Sequence, residues 1–297
     1  MTDRPNPMRW DNEPMPEGVF LESPDPEVTL LGLPSAIASL RPKVIDADDP
    51  AVTKPAARVL HGVLGALRAP DGPVRRWSLD GLDAAAVRLI LDTLGEGEVD
   101  MVLGAVPEAG LAEAQVQESV MPGLWIERTL DDDGAVVSVA LEVGDVPAIV
   151  RQRAARLCLP ELGVPATAPA GTMNVLPVLA EIRHLMGRQR SGRPNHVINF
   201  TLLPMTPEDQ EFLTQVLGRM PITIVSGGYG ACKVLATGMT GVWAVQYMNS
   251  MGVVILDTLE IGDVPSAARA AAEDFEDSAE RLSDILAAYF PHEARHD

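Results

Sequence analysis

Leu141-Glu-Val-Gly-Asp-Val-Pro147 and Leu259-Glu-Ile-Gly-Asp-Val-Pro265 are one seven-residue string written twice, with Val143 exchanged for Ile261 as the sole change. Extending the match in both directions without a gap lays residues 121–153 on 239–271, and 12 of the 33 pairs are identical. Among them are Met121/Met239, Gly123/Gly241, Trp125/Trp243, Gly134/Gly252, Asp145/Asp263 and Arg151/Arg269. Ordinary composition would give roughly two or three identities by chance. The repeat continues upstream at a different offset, where WSLDGL (77–82) lies on FTLLPM (200–205) and Leu94-Gly95 on Leu217-Gly218. The first copy therefore holds five more residues between these blocks, within 106–117, where the second has GGYGAC (227–232). A tandem duplication is the reading that decides the fold.

Each copy reads as an α+β unit: helix, short strand, helix, then antiparallel strands. In the second copy Val175, Val178, Leu179, Ile182 and Leu185 recur at helical spacing over 175–186. The first-copy helix is expected near 56–67. Strands are expected at 74–79 and 196–203, followed by helices over 83–94 and 207–217. Thr206, Pro207, Glu208 and Asp209 form a helix start, with an N-cap, an N1 proline and acids at the positive end of the dipole. Gly95 and Gly218 stand where a helix ends. The strands then read 222–226, 232–237, 242–247 and 253–261, with Asn249, Ser250 and Gly252 turning the last pair. Asp145 and Asp263 are expected as caps of tail helices, the second spanning about 266–290 with a break near Asp274. The expected organisation is a Pro- and acid-rich irregular arm (1–55), a first repeat (56–158), a linker (159–173) and a second repeat (174–297).

The chain has 297 residues, 42 acidic against 23 basic, and a net charge of −19. That balance excludes the positive footprint of a nucleic-acid binder and of a polybasic membrane surface. It suits solubility, or a basic partner segment. No apolar run approaches the ~18 residues of a membrane span, so direct membrane insertion is not expected. The first residues, MTDRPNPMRW, lack a signal-type apolar region, which makes a cytoplasmic protein the expectation. Cys158 and Cys232 form no CxxC pair, and the five histidines form no HExxH. No cofactor, no metal and no catalytic residue is assigned.

GGYGAC is the sharpest local feature, because glycines expose backbone N–H groups beside a thiol. One reading is a glycine turn with an inert buried cysteine. The others make Cys232 a redox or partner contact, or the nucleophile of a cysteine-dependent enzyme with His184 or His196 as base. Lys233 follows directly, but strand alternation sends it to the opposite face from Cys232. Glu142 and Glu260 read as a solvated strand face or as carboxylates facing a groove, with the solvated face preferred. Trp125 and Trp243 read as core anchors, or as interface anchors. The candidate contact surface is Gly228, Tyr229, Gly230, Cys232, Trp243, Gln246, Asn249 and Glu260.

Several strings together resemble the hydrogenase expression/formation proteins of the HupH/HyaF type. They are GYGACKVLAT (228–237), WAVQYMNS (243–250), ILDTLEIGDVP (255–265) and AAAEDFEDSAERLSDIL (270–286), with GTMNVLPVLAEI (171–182) and HVINFTLLPMTPEDQ (196–210). Gly227 stands where that family's string often carries an arginine. The resemblance implies an accessory, chaperone-like protein of [NiFe] hydrogenase maturation, acting on the iron–sulfur small subunit before export alongside a thioredoxin-like maturation protein. The rival readings are a cysteine-dependent enzyme and a purely structural protein-binding module.

Overall fold

The computed structural model describes residues 49–69, 75–188, 193–227 and 231–290. The elements run α1 (Pro50–Leu67), β1 (Arg75–Ser78), α2 (Ala84–Leu94), β2 (Val99–Leu103), β3 (Ala114–Glu118), β4 (Leu124–Leu130), β5 (Val136–Val143) and α3 (Ala148–Leu157). They continue with α4 (Val175–Met186), β6 (His196–Asn199), α5 (Pro207–Leu217), β7 (Arg219–Ser226), β8 (Ala231–Thr237), β9 (Val242–Met248), β10 (Val254–Ile261) and α6 (Asp274–Tyr289). The fold is α+β, with helices on antiparallel sheet. Most of the expected arm, Gly228 to Gly230 and the histidines 292 and 296 lie outside the described residues.

Sequence rules account for the element ends. Asp83 accepts from the Ala85 N–H at 2.8 Å to start α2, and Gly95 ends it at φ 58°, which only glycine adopts without cost. Helix α1 begins at Pro50, six residues before its expected start. Asp49 caps the first turn, accepting from the Ala51 N–H at 2.8 Å, and Pro55 lies inside the helix, where it supplies no N–H to the helical ladder. Strand β6 stops at Asn199, short of the expected 203, because the Asn199 side chain accepts from the Thr201 and Leu202 N–H groups and turns the chain.

The repeated sequences form the same strand order. β1-β5-β4-β3-β2 is one arrangement and β6-β10-β9-β8-β7 is the other. β4 and β9 share one burial pattern residue by residue, as do β5 and β10. Both hairpins turn alike: Asp131 accepts from Asp133 and Ala135, and Asn249 from Met251 and Val253.

The compact units are cut differently from the repeats. Among the described residues, one unit contains those from 49 to 148 together with 269–290, and the other contains those from 149 to 268. The first unit thus takes the tail helix of the second repeat. In it Phe275, Ala279, Leu282 and Leu286 of α6 share a core with Leu60, Val63 and Leu67 of α1 and with Leu124, Ile126 and Leu141 of the sheet. Ser278 Oγ donates to the Pro122 carbonyl at 2.9 Å, and Gly123, at φ 83°, leaves room for the Phe275 ring. The second unit takes the tail of the first repeat. Cys158 Sγ donates to the Thr237 carbonyl, and Leu159 bridges to Met239. The stretch read as a linker also contributes Leu162 to the second core, beside Val178, Leu179 and Ile182 of α4 and Leu213 of α5.

Asp145 and Asp263 are not helix caps. Each is an ion-pair partner of the exchanged tail: Arg269 with Asp145 at 3.7 Å in the first unit, Arg151 with Asp263 at 2.8 Å in the second. The first N–H of α3, on Ala148, goes to the Glu142 carboxylate at 2.8 Å. Glu142, the penultimate residue of β5, reaches that N–H, while the Asp side chains meet the arginines and Asp263 also accepts the Val264 N–H at 2.8 Å.

Candidate functional site

Strand register decides which expected residues meet. Cys232 on β8 lies opposite Tyr247 on β9 and opposite Ser226 on β7. Ala236 lies opposite Trp243, which in turn lies opposite Glu260 on β10. Alternation puts Cys232, Tyr247, Trp243 and Glu260 on one face. The other face carries Leu235, Ala244 and Leu259, which pack on α4 and α5. Gln246 belongs with that other face, opposite Lys233 and Asp257, and hydrogen-bonds the Asp257 carboxyl. Asn249 holds the hairpin turn at the strand end. Of the expected contact surface, the structure therefore groups Cys232, Trp243 and Glu260, and separates Gln246 and Asn249 from them.

Cys232 is 5% exposed, and burial pushes its thiol up to about 11. The Tyr247 hydroxyl hydrogen-bonds the sulfur, and burial with the nearby thiol raises Tyr247 to about 12. A thiol so placed is un-ionised at neutral pH, whereas a nucleophile needs the thiolate. His196 lies opposite Ile261, on the face packed against α4, and pairs with Glu181 at 3.2 Å. His184 sits on α4 beside Arg188 at 3.2 Å. Both histidines face away from Cys232, so the Cys–His pairing of the enzyme reading has no geometric support. Lys233 points to the opposite face, and burial lowers its pKa.

Glu260 is 8% exposed and Glu142 is 1% exposed, so neither belongs to a solvated face. Alternation marks them correctly as a different face from the α4/α5 or α1/α6 core, but that second face is itself covered. Asn195 donates its amide to Glu260 Oε2 and to the Asp263 carbonyl, both at 2.9 Å. Its side chain lies so close over Gly262 that no β-carbon would fit there. Trp125 donates its indole N–H to the Gly144 carbonyl at 2.8 Å, while the buried Trp243 indole N–H has no partner among the described residues. Both tryptophans are core residues. No group of three or more His, Cys, Asp or Glu among the described residues is arranged to hold a metal ion.

Tyr247 and Asn195 are the residues that sequence reasoning missed. The signal for Tyr247 was alternation combined with register, which needs the β8–β9 pairing. For Asn195 there was none, because its contacts are 65 and 68 residues away in the chain. The assembled chemistry is a protonated thiol with a phenol donor at one end of a face, and a carboxylate held by an amide at the other.

Comparison with known proteins matches residues 80–157 and 172–289 to the family described as "HupH hydrogenase expression protein, C-terminal conserved region". The chain is 46% identical over 230 residues to the hydrogenase expression/formation protein HupH of Rhizobium leguminosarum bv. viciae, covering 76% of this chain and 78% of that one. It is 42% identical over 229 residues to the hydrogenase expression/formation protein HoxQ of Azotobacter vinelandii, with 76% and 78% covered. A solved structure, the hydrogenase expression protein HupH from Thiobacillus denitrificans, aligns over 39% of this chain and 96% of its own at 28% identity, with a TM-score of 0.34.

Proposed function

This chain belongs to the family of HupH hydrogenase expression/formation proteins, and we propose that it is a chaperone-like accessory of [NiFe] hydrogenase maturation that binds the iron–sulfur small subunit before export. Cys232, Trp243 and Glu260 are buried and brace this part of the sheet from within, and the contact region lies around the partly exposed Tyr247 and Asn249, with Gly228, Tyr229 and Gly230 beside it in sequence. The observation that carries this reading is the state of Cys232. A thiol buried to a pKa of about 11 and hydrogen-bonded by Tyr247 is built to stay in place, not to attack. That favours binding over covalent catalysis. The net charge of −19 suits a basic segment on the partner, such as an export signal carrying arginines. A thioredoxin-like maturation protein is a further partner in this reading.

Co-purification from cells that make the hydrogenase tests it. The small subunit is expected to be retained by the tagged protein at low salt and to weaken at high salt. A small subunit that never associates, with or without its signal segment, overturns the reading. A Cys232→Ser variant is expected to keep the association, since it conserves the hydrogen bond to Tyr247.

A further inference from the structure

The first unit buries a pair of carboxyls that the proposed function does not use. Glu127 on β4 and Glu142 on β5 sit diagonally on adjacent strands, since Glu127 lies opposite Ala140, two residues from Glu142. They are 4% and 1% exposed, and their carboxyls are within hydrogen-bond reach of each other. Arg76 on β1 is the cation facing them, and both its Nε and its Nη2 contact the same oxygen, Glu127 Oε2, at 2.9 Å. The other oxygen, Glu127 Oε1, is buried and reached by no N–H or hydroxyl donor among the described residues. Glu142 Oε1 accepts the Ala148 N–H of α3. One proton on Glu142, donated to Glu127 Oε1, satisfies every oxygen that is otherwise left bare.

We propose that Glu142 and Glu127 share a single proton in the folded protein, and that this proton keeps the Glu142 carboxyl latched on the Ala148 N–H. Removing it leaves two buried carboxylates facing one half-exposed arginine. Arg76 and the Ala148 N–H both favour the charged form, but burial and the facing Glu127 outweigh them and push Glu142 up to about 8. Arg76 holds Glu127 through Oε2, so the ionised pair relaxes by Glu142 swinging away from it, and Ala148 loses its acceptor. The second repeat lacks this device, because Val245 and Asn199 stand where Glu127 and Arg76 stand in the first.

Amide hydrogen exchange on the full chain tests it, read as the protection factor at Ala148 between pH 7 and 9. Protection is expected to fall about tenfold across that range, since the latched state gains from a proton that the open state does not hold. Glu142→Gln, whose amide donates to Glu127 and whose carbonyl still accepts from Ala148, is expected to abolish the fall. Glu118→Gln, which removes another raised carboxyl of the same unit, is expected to leave it. Constant protection in the unmodified chain, or an undiminished fall in Glu142→Gln, overturns the proposal. Should Glu142→Gln not fold, carbon-13 titration of the glutamate carboxyls in the unmodified chain decides it. One carboxyl titrating near 8 upholds the latch, and all titrating in the ordinary range overturns it.

Discussion

Asp209 closes the α5 capping box with Thr206 and also accepts the N–H groups of Met173, Asn174 and Val175 at the start of α4. Burial pushes its pKa up, but the N–H groups of Thr206, Met173, Asn174 and Val175 outweigh that and hold it below the ordinary value. A group with a depressed folded pKa stabilises above its unfolded pKa and loses that contribution as pH falls through the folded value. Asp209→Ala, which strips two helix starts, is expected to cost about 2–4 kcal/mol in denaturant unfolding at pH 7. Asp209→Asn is expected to lose the part of the acid sensitivity that lies below about pH 4, measured as the midpoint of acid unfolding. The α5 cap was legible from Thr206-Pro-Glu-Asp. Its second duty was not, because Met173 is 36 residues away in the chain. Cys232 gives a second prediction at this scale. At pH 7.5 it is expected to resist alkylation in the native protein and to react fully once unfolded, as peptide mass mapping reports. Rapid native labelling would contradict the buried, protonated thiol.

Arg151, in α3, and Arg269, ahead of α6, are equivalent positions of the repeat, and each lies in the unit built on the other copy's strands. The GDVP strings and their arginines are the same in both copies, so each Asp meets the other copy's Arg: Asp145 with Arg269, Asp263 with Arg151. These pairs are partly exposed, and Arg151→Ala is expected to cost about 1 kcal/mol or less. The apolar contacts carry the docking. Leu282→Ala in α6, fully buried against α1, is expected to cost about 2–5 kcal/mol in thermal or denaturant unfolding. Gly123→Ala is expected to destabilise as well, because it combines φ 83° with a β-carbon 2.8 Å from the Phe275 ring. The tail helix and its break near Asp274 were visible in the sequence. The partner of its apolar face was not visible, because periodicity records a face and not what covers it.

For the whole molecule, the exchanged tails place the integrity of the first unit in the last residues of the chain. Deleting residues 269–297 is expected to strip hydrogen-exchange protection from α1 and from β4 and β5, and to leave that of β8 to β10. Loss confined to the second-repeat strands would contradict the exchange of tails. Both units bury carboxyls: in the second, burial raises the pKa of Asp257. Asp100, Glu118 and Glu142, all in the first unit, are raised mainly by burial, to about 6, about 7 and about 8. A carboxyl raised in the folded state binds its proton more tightly there than in the unfolded chain. The stabilisation these three carboxyls give the first unit is therefore expected to be greatest below about pH 4 and to be lost as pH rises to about 8. Glu118→Gln together with Glu142→Gln is expected to flatten that slope in thermal unfolding.

The sequence by itself determined the repeated α+β pattern, the strands and their turns, the glycine helix ends and the family resemblance. All of these rest on neighbours a few residues apart, or on one copy compared with the other. The tertiary structure alone decided which unit each tail helix joins, that Glu142 and Glu260 are buried, and that Cys232 faces Tyr247 and turns away from both His184 and His196. Burial and cross-strand partnership depend on what covers a face from far along the chain, and alternation along one strand carries no record of it.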